Sequence, residues 1–319
     1  MTYAGNDRQS VLEAGGRREG ALTLYTTGTT TGPILEAFQK KYPFIKLNVQ
    51  RADSVEITRK TMEEYGANYY DVDAFDLSTN GLIPLRDQTI LQPFVSSEMA
   101  ALLPASIETD HYWASDRLTF TGLGFNTDAI SIADAPKTYR DFLDPKWKGR
   151  MAISGLAGTA ANWVGAMLLS EGEDYVRALG RQNLRVYPIT ARAVANLMIS
   201  GEVKISPDSY YDHVTSSKAA GAPLAWIAPG PVPVLDTAVA IAARAPHPHA
   251  ALLFVDFMLG REAQKMLADL RYISPRVDMP KGDQPEVEKL FVANRPHYTE
   301  EFESWNKLLN EVFLRPVRH

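Results

Sequence analysis

The sequence predicts an α/β protein folded as two lobes. Three observations carry this expectation. A chain of 319 residues with 45% hydrophobic content can bury a sizeable core, and at that length it divides into two lobes of ordinary domain size. Short apolar β runs alternate with helical patterns in both halves of the chain, as in an α/β fold. Several of those strands also run straight into hydroxyl- or glycine-rich turns that open helices. Such turns put polar groups beyond the carboxyl ends of strands, where open α/β sheets bind ligands.

Composition narrows the function classes. Charged residues make up 22% of the chain, the net charge is -5 and the pI is about 5.7. That balance argues against a nucleic-acid binder, which shows a basic face. No run reaches the ~18 apolar residues that span a bilayer. Cysteine is absent, which excludes disulfides, thiolate metal sites and cysteine nucleophiles. The opening MTYAGNDRQSVLEAGGRREG has no apolar core of a signal peptide, so the protein is either cytosolic or numbered from downstream of a removed signal.

In the first lobe, residues 1–20 are polar, with a short helix at Ser10–Ala14 expected to dock loosely. Ala21–Tyr25 (ALTLY) is the first strand, followed by Thr26-Thr27-Gly28-Thr29-Thr30-Thr31-Gly32-Pro33 and a helix marked by Ile34, Phe38 and Tyr42. Thr31 is the expected N-cap, with Pro33 in the first turn. A hydroxyl-rich loop at a helix start suits an anion, because free amides and the positive end of the dipole meet there; ordinary capping explains the same residues. Ile45–Gln50 is a second strand and Ser54–Tyr65 a helix. Val72–Leu77 is a third strand that ends in Ser78-Thr79-Asn80-Gly81. Ser78, Thr79 and Asn80 are therefore binding candidates, with capping of a helix at Leu82–Arg86 as the alternative.

An apolar strand, Leu118–Phe125, leads towards the second lobe, which starts with a strand at Arg150–Ile153; Trp147 before it is a core residue. Ser154-Gly155-Leu156-Ala157-Gly158-Thr159-Ala160 then opens a helix with Trp163, Met167 and Leu168 on one face. Ser154, Gly158 and Thr159 form another candidate anion cradle. The GxGxxG and GxxxxGK(S/T) spacings are missing, so nucleotide binding is not read here. Val186–Ile189 is a strand, and Arg192 stands near the next helix start, where a cation opposes the dipole. It either meets an anionic ligand or makes a surface ion pair. A short strand at Val203–Ile205 precedes a Ser-Pro-Asp-Ser turn that delivers Asp208, Tyr210 and Tyr211, all three binding candidates. A strand at Leu224–Ile227, a proline-rich passage, a strand at Ala238–Ala242 and a helix opened by Pro-His-Pro-His-Ala follow. The rest is helical, broken at Ser274-Pro275-Arg276 and Pro280. Its last helix, Thr299–Phe313, has a packing face of Phe302, Trp305, Leu309 and Phe313.

The stretch GEVKISPDSYYDHV, the later GAPLAWIAP and HPHAALLFVDF, and DAPKTYRDFLDPKWKGR earlier in the chain resemble extracellular solute-binding proteins of family 1. These are type II periplasmic binding proteins, a group that includes ferric-iron-binding proteins. The resemblance runs from about Ala21 to Phe313. It implies two α/β lobes with a hinge and a ligand cleft between them: a discontinuous first lobe of residues 1–115 and 235–319, and a second lobe of 116–234. It implies capture of a solute by hinge closure, delivery to an ABC permease in the inner membrane, a monomer in the periplasm, and a signal peptide already removed. The loop at Thr27, Gly28, Thr29 and Thr30 becomes the first-lobe wall of the cleft, and Tyr210 and Tyr211 are presented to it.

Enzyme readings fare poorly. No G-x-S-x-G elbow or H-E-x-x-H motif is present. His247 and His249 would bind metal only if other ligands converged on them, and the pairs Glu63/Glu64 and Asp71/Asp73 read as solvated. Adjacent tyrosines at a helix start can both reach one cleft, and a phenolate suits a hard cation such as Fe(III). By the resemblance, Tyr210 and Tyr211 are metal ligands if the solute is ferric. Members of one ferric subgroup place a histidine after the first strand and a glutamate after the third, where this chain has Thr27–Thr29 and Ser78–Thr79. Two tyrosines do not fill an octahedral shell, so iron would need a synergistic anion. The expected function is therefore the receptor of an ABC importer for a small polar or anionic solute, with no cofactor and no catalysis. Fe(III) carriage is the alternative, and an α/β transferase or hydrolase using the same cleft is a further one.

Overall fold

In the computed structural model the described residues are 3, 5–28, 31–282, 284–291 and 298–314. They form two compact units, one of Met1–Leu118 with Asp236–Gly282 and one of Thr119–Leu235 with Asp283–His319.

The first unit opens with helix α1, Arg8–Glu19, longer and more firmly held than expected. Arg8 pairs with Asp256 and donates to the Val95 carbonyl at 2.8 Å. Glu19 accepts from the amides of His249 and Ala250 at 3.1 and 2.8 Å. The Gly15-Gly16 pair is what permits this docking: a Cβ at Gly15 would lie 2.2 Å from the His249 ring. Strand β1 (Ala21–Thr26), helix α2 (Gly32–Lys41), strand β2 (Lys46–Arg51), helix α3 (Ser54–Gly66), strand β3 (Ala74–Ser78), helix α4 (Thr79–Asp87) and the short strand β4 (Leu91–Gln92) follow. β1 pairs in parallel with both β2 and β3. It lies inside the sheet, so its ALTLY run is almost wholly buried, whereas β2 is mostly exposed.

Strand β5, Trp113–Asn126, runs from the first unit into the second. It begins five residues before the expected start because Ser115, Asp116 and Arg117 break the apolar pattern there. All three are buried and find polar partners there instead.

The second unit continues with strand β6 (Ala152–Ser154), helices α5 (Ala157–Glu171) and α6 (Glu173–Gly180), strand β7 (Arg185–Tyr187), helix α7 (Ala191–Ile199), strand β8 (Ile205–Tyr210), helix α8 (Tyr211–Ala219) and strand β9 (Leu224–Ile227). Trp147 is buried, as expected. Strand β10 (Val232–Ala242) passes back into the first unit, where it runs antiparallel to β3. Helices α9 (Pro248–Leu259) and α10 (Arg261–Asp269) complete that unit. Strand β11 (Lys289–Phe291) and helix α11 (Tyr298–Leu309) return to the second.

Two further expectations differ from this arrangement. The Ser206-Pro207-Asp208-Ser209 segment is strand rather than turn. β8 pairs antiparallel with β5, and its register shifts so that Pro207 and Asp208 together oppose Leu123. A proline is tolerated at such a bulge because the ladder already lacks a bond there. The lobe boundaries also differ: residues 116–118 fall in the first unit, and the described residues beyond 283 in the second. Tyr298 donates to Asn162 at 2.8 Å, and Trp305 lies over Gly165, where a Cβ would meet its ring at 2.3 Å. An amphipathic pattern reveals a packing face but not the element it packs on.

Candidate functional site

In the first unit, parallel pairing sets Thr26 of β1 opposite Asp76 of β3. The turn after β1 and residues Ser78–Asn80 after β3 therefore open at the same sheet edge. Thr26 Oγ1 donates to Asp76 Oδ2 at 2.7 Å and accepts from the Gly28 amide at 2.8 Å. Thr27 donates its amide to the Asp76 carbonyl at 3.0 Å. Thr29 and Thr30 lie outside the described residues. Thr31 does not cap α2: its φ/ψ of -80/2° is not the extended geometry an N-cap needs, and its hydroxyl lies 3.4 Å from the Gly28 carbonyl. Ser78 does not cap α4 either; it donates to Asn80 Oδ1 at 2.6 Å. Helix α4 starts at Thr79, three residues before the expected Leu82. Thr79 itself is buried, with its hydroxyl given to Asp236 at 2.7 Å.

Behind this edge lies a charged cluster that the sequence reading missed. Arg117 Nη1 donates to Asp76 Oδ1 at 2.8 Å and to Asp116 Oδ2 at 2.6 Å, and all three side chains are buried. The chain Arg117–Asp76–Thr26–Gly28 thus fixes the turn from beneath. The available signal was a pair of charged residues inside each of two otherwise apolar runs, VDAFDL and SDRLTF. Burial, reinforced by the charge of Asp76, pushes the Asp116 carboxyl up to about 7, against the pull of Arg117. The folded state therefore holds its proton more tightly than the unfolded chain. This contribution to stability is complete below pH 3.8, the ordinary value, and is lost as pH rises through about 7. The stability of Asp116→Asn relative to wild type, followed by thermal melting from pH 4 to 7, should accordingly rise with pH.

Other ionisable side chains are committed to the fold. Asp73, expected to be solvated, is buried and accepts from the His247 amide at 2.6 Å, with the His247 ring at 2.9 Å. His249 meets Glu19 at 2.5 Å. The two carboxylates hold the start of α9, which explains both histidines without a metal. Among the described residues no group of three or more His, Asp or Glu could hold a metal ion.

In the second unit β6 and β7 are parallel, with Ser154 opposite Tyr187, and Met151 bridges Ile205 in parallel. The same offset brings Ser154 level with Asp208. The turns after β6, β7 and β8, which open α5, α7 and α8, therefore share one edge. Thr190 caps α7 by accepting from the Ala193 amide at 3.2 Å. By contrast, α5 and α8 have Leu156 and Tyr210 at their N-caps and no side-chain cap. Gly158 and Thr159 lie in the first turn of α5. Ser154 donates to the Ile189 carbonyl at 2.7 Å. Arg192 is exposed and donates to the His213 carbonyl at 3.2 Å.

Tyr210 and Tyr211 have different neighbours, since one ends a strand and the other begins a helix. The Tyr210 hydroxyl lies 3.5 Å from Thr159 Oγ1, and its ring stacks on His213 at 5.1 Å. Tyr211 packs edge-on against Trp226 at 5.2 Å and lies 6.5 Å from the Phe120 ring. Burial, helped by the neighbouring Asp208, raises the Tyr210 phenol above its ordinary value, so it is protonated at neutral pH. Asp208 is 2% exposed, and neither carboxyl oxygen has a hydrogen-bond partner among the described residues. Burial raises its pKa well above the usual carboxylate value, and the nearby Ser154 amide offsets only part of this.

Polar turns gathered at strand ends of a mixed α/β fold are where such folds bind ligands. The chain belongs to the bacterial extracellular solute-binding protein family, whose model matches residues 84–297. A relative from Haemophilus influenzae, itself uncharacterised, is 27% identical over 199 residues; the match covers 56% of this chain and 55% of that protein. Among solved structures, iron-bound HitA from Pseudomonas aeruginosa has a TM-score of 0.77 at 22% identity, covering 90% of this chain and 99% of HitA. Trichodesmium FutA (IdiA) with iron and citrate has a TM-score of 0.77 at 17% identity, covering 92% of this chain and 99% of the other. The apo ferric ion-binding protein A of Pasteurella haemolytica reaches 0.79 at 16% identity, covering 94% and 100%. At these identities the likeness establishes the fold, and the expected periplasmic-binding-protein fold is borne out.

Proposed function

We propose that this protein is the solute-capturing subunit of an ABC importer, working in the periplasm and handing a small polar or anionic solute to a membrane permease. The observation that carries this reading is the edge of the second unit where two helix N-termini without side-chain caps, those of α5 and α8, open beside Ser154, Thr159 and Tyr210. First-turn amides and the dipole favour negative charge or a polar acceptor there. Gly158 admits a close approach of ligand to backbone, and Arg192 adds positive charge to the same edge. Thr27, Gly28, Thr29, Thr30, Ser78, Thr79 and Asn80 are the corresponding contact residues of the first unit. The uncapped starts of α2 and α4 support that assignment, because helix capping no longer accounts for Thr31 or Ser78.

Fe(III) is the second reading. The relatives solved with iron and the Tyr210-Tyr211 pair favour it, although burial keeps the Tyr210 phenol protonated and the metal would have to displace that proton. The deciding measurement is native mass spectrometry with a visible absorption spectrum on protein purified without added ligand. The first reading expects a colourless protein that carries or binds a small polar or anionic solute, with affinity about tenfold weaker in Thr159→Val from the loss of one hydrogen bond to the ligand. A tyrosinate-to-iron band that disappears in Tyr210→Phe or Tyr211→Phe would replace it with iron carriage. Turnover of the bound solute would replace both with an enzyme.

A further inference from the structure

Asp208 is the residue that does not suit a simple anion cradle. It stands at the level of Ser154, on the edge where α5 and α8 open, and a carboxyl there supplies no positive charge to an anionic ligand. Its side chain is 2% exposed, and apart from the nearby Ser154 amide neither oxygen has a donor beside it among the described residues. Burying an acceptor without a donor is costly, so such groups are rare unless something outside the chain completes them. Two further atoms at the same strand-to-helix junction, Asp212 Oδ1 and His213 Nδ1, are also buried without a partner. The junction therefore combines uncapped helix amides, which attract negative charge, with unpaired carboxyl oxygens of Asp208 and Asp212, which call for a donor. A single ligand group does not satisfy both. A zwitterion does, because an ammonium brings three N–H donors and the charge opposite to a carboxylate.

We propose that the solute carries an ammonium group beside its anionic group, and that the Asp208 carboxyl receives that ammonium. Asp208 then sets specificity, selecting zwitterions from simple anions of the same size. This proposal rests on the solute-capture reading above, and its failure is distinguishable from the failure of that reading.

The test is calorimetric titration of the full chain with matched probes that differ only in the ammonium: 4-aminobutyrate against butyrate, and O-phosphoethanolamine against ethyl phosphate. The ammonium-bearing member of at least one pair should bind wild type at least tenfold more tightly, and Asp208→Asn should abolish the preference. Unliganded Asp208→Asn should melt at the wild-type temperature or above it, because an amide costs less to bury than an unpaired carboxyl. Should that variant not fold, the wild-type pairs decide alone. Equal binding of the two members of each pair overturns the proposal and leaves solute capture standing. A preference that survives in Asp208→Asn overturns the role of Asp208. Binding of no probe by wild type overturns capture of such solutes, and this proposal with it.

Discussion

Arg117→Ala is expected to destabilise the protein by about 3–5 kcal/mol, because it leaves two buried carboxylates facing each other without a cation. Arg117 is buried between Asp76 and Asp116 and donates to both. The truncation removes the charge that offsets them in the cluster and also releases the Asp76–Thr26–Gly28 chain beneath the turn after β1. Denaturant unfolding at pH 7 reads the loss. The triple variant Asp76→Asn/Asp116→Asn/Arg117→Met should recover most of it, because removing a whole buried ion cluster is often close to neutral. A single variant within about 1 kcal/mol of wild type would show that the cluster is hydrated, not buried in the folded state.

Trp305→Ala is expected to cost a comparable ~3–5 kcal/mol, the usual range for truncating a buried aromatic. The Trp305 side chain is 2% exposed and lies against Gly165 of α5. Because α11 belongs to the second compact unit, the loss should appear in the unfolding of that unit and leave the first nearly unchanged. Calorimetry that resolves the two transitions separates the effects, with Arg117→Ala lowering one and Trp305→Ala the other. A shift of the first unit's transition by Trp305→Ala would instead tie the C-terminal helix to that unit, as the family resemblance implied.

Most of the elements were legible because their hydrophobic pattern is local. ALTLY must be a buried strand, and the Phe302–Trp305–Leu309 face must be a packed helix. The elements misread are those in which polar residues are buried. Ser115-Asp116-Arg117 hides the first part of β5, since hydropathy has no way of knowing that Asp76 and Asp236 wait across the sheet. Pro207 and Asp208 look like a turn because strand periodicity does not register a bulge. Asp73 reads as solvated because its partners, His247 and the start of α9, lie far away in the chain.

The candidate site divides in the same way. Sequence by itself determined the α/β class, the family, and the chemical character of each turn: hydroxyls and glycines at the ends of β1, β3 and β6, and tyrosines at the end of β8. Those are properties of contiguous residues. Only the tertiary structure decided that Thr31 and Ser78 do not cap their helices, that Tyr210 and Tyr211 face different neighbours, and that Asp208 stands at the Ser154 edge with no donor beside it but the Ser154 amide among the described residues. Each of these depends on register and on partners distant in sequence, and a one-residue change in register alters which side chains meet.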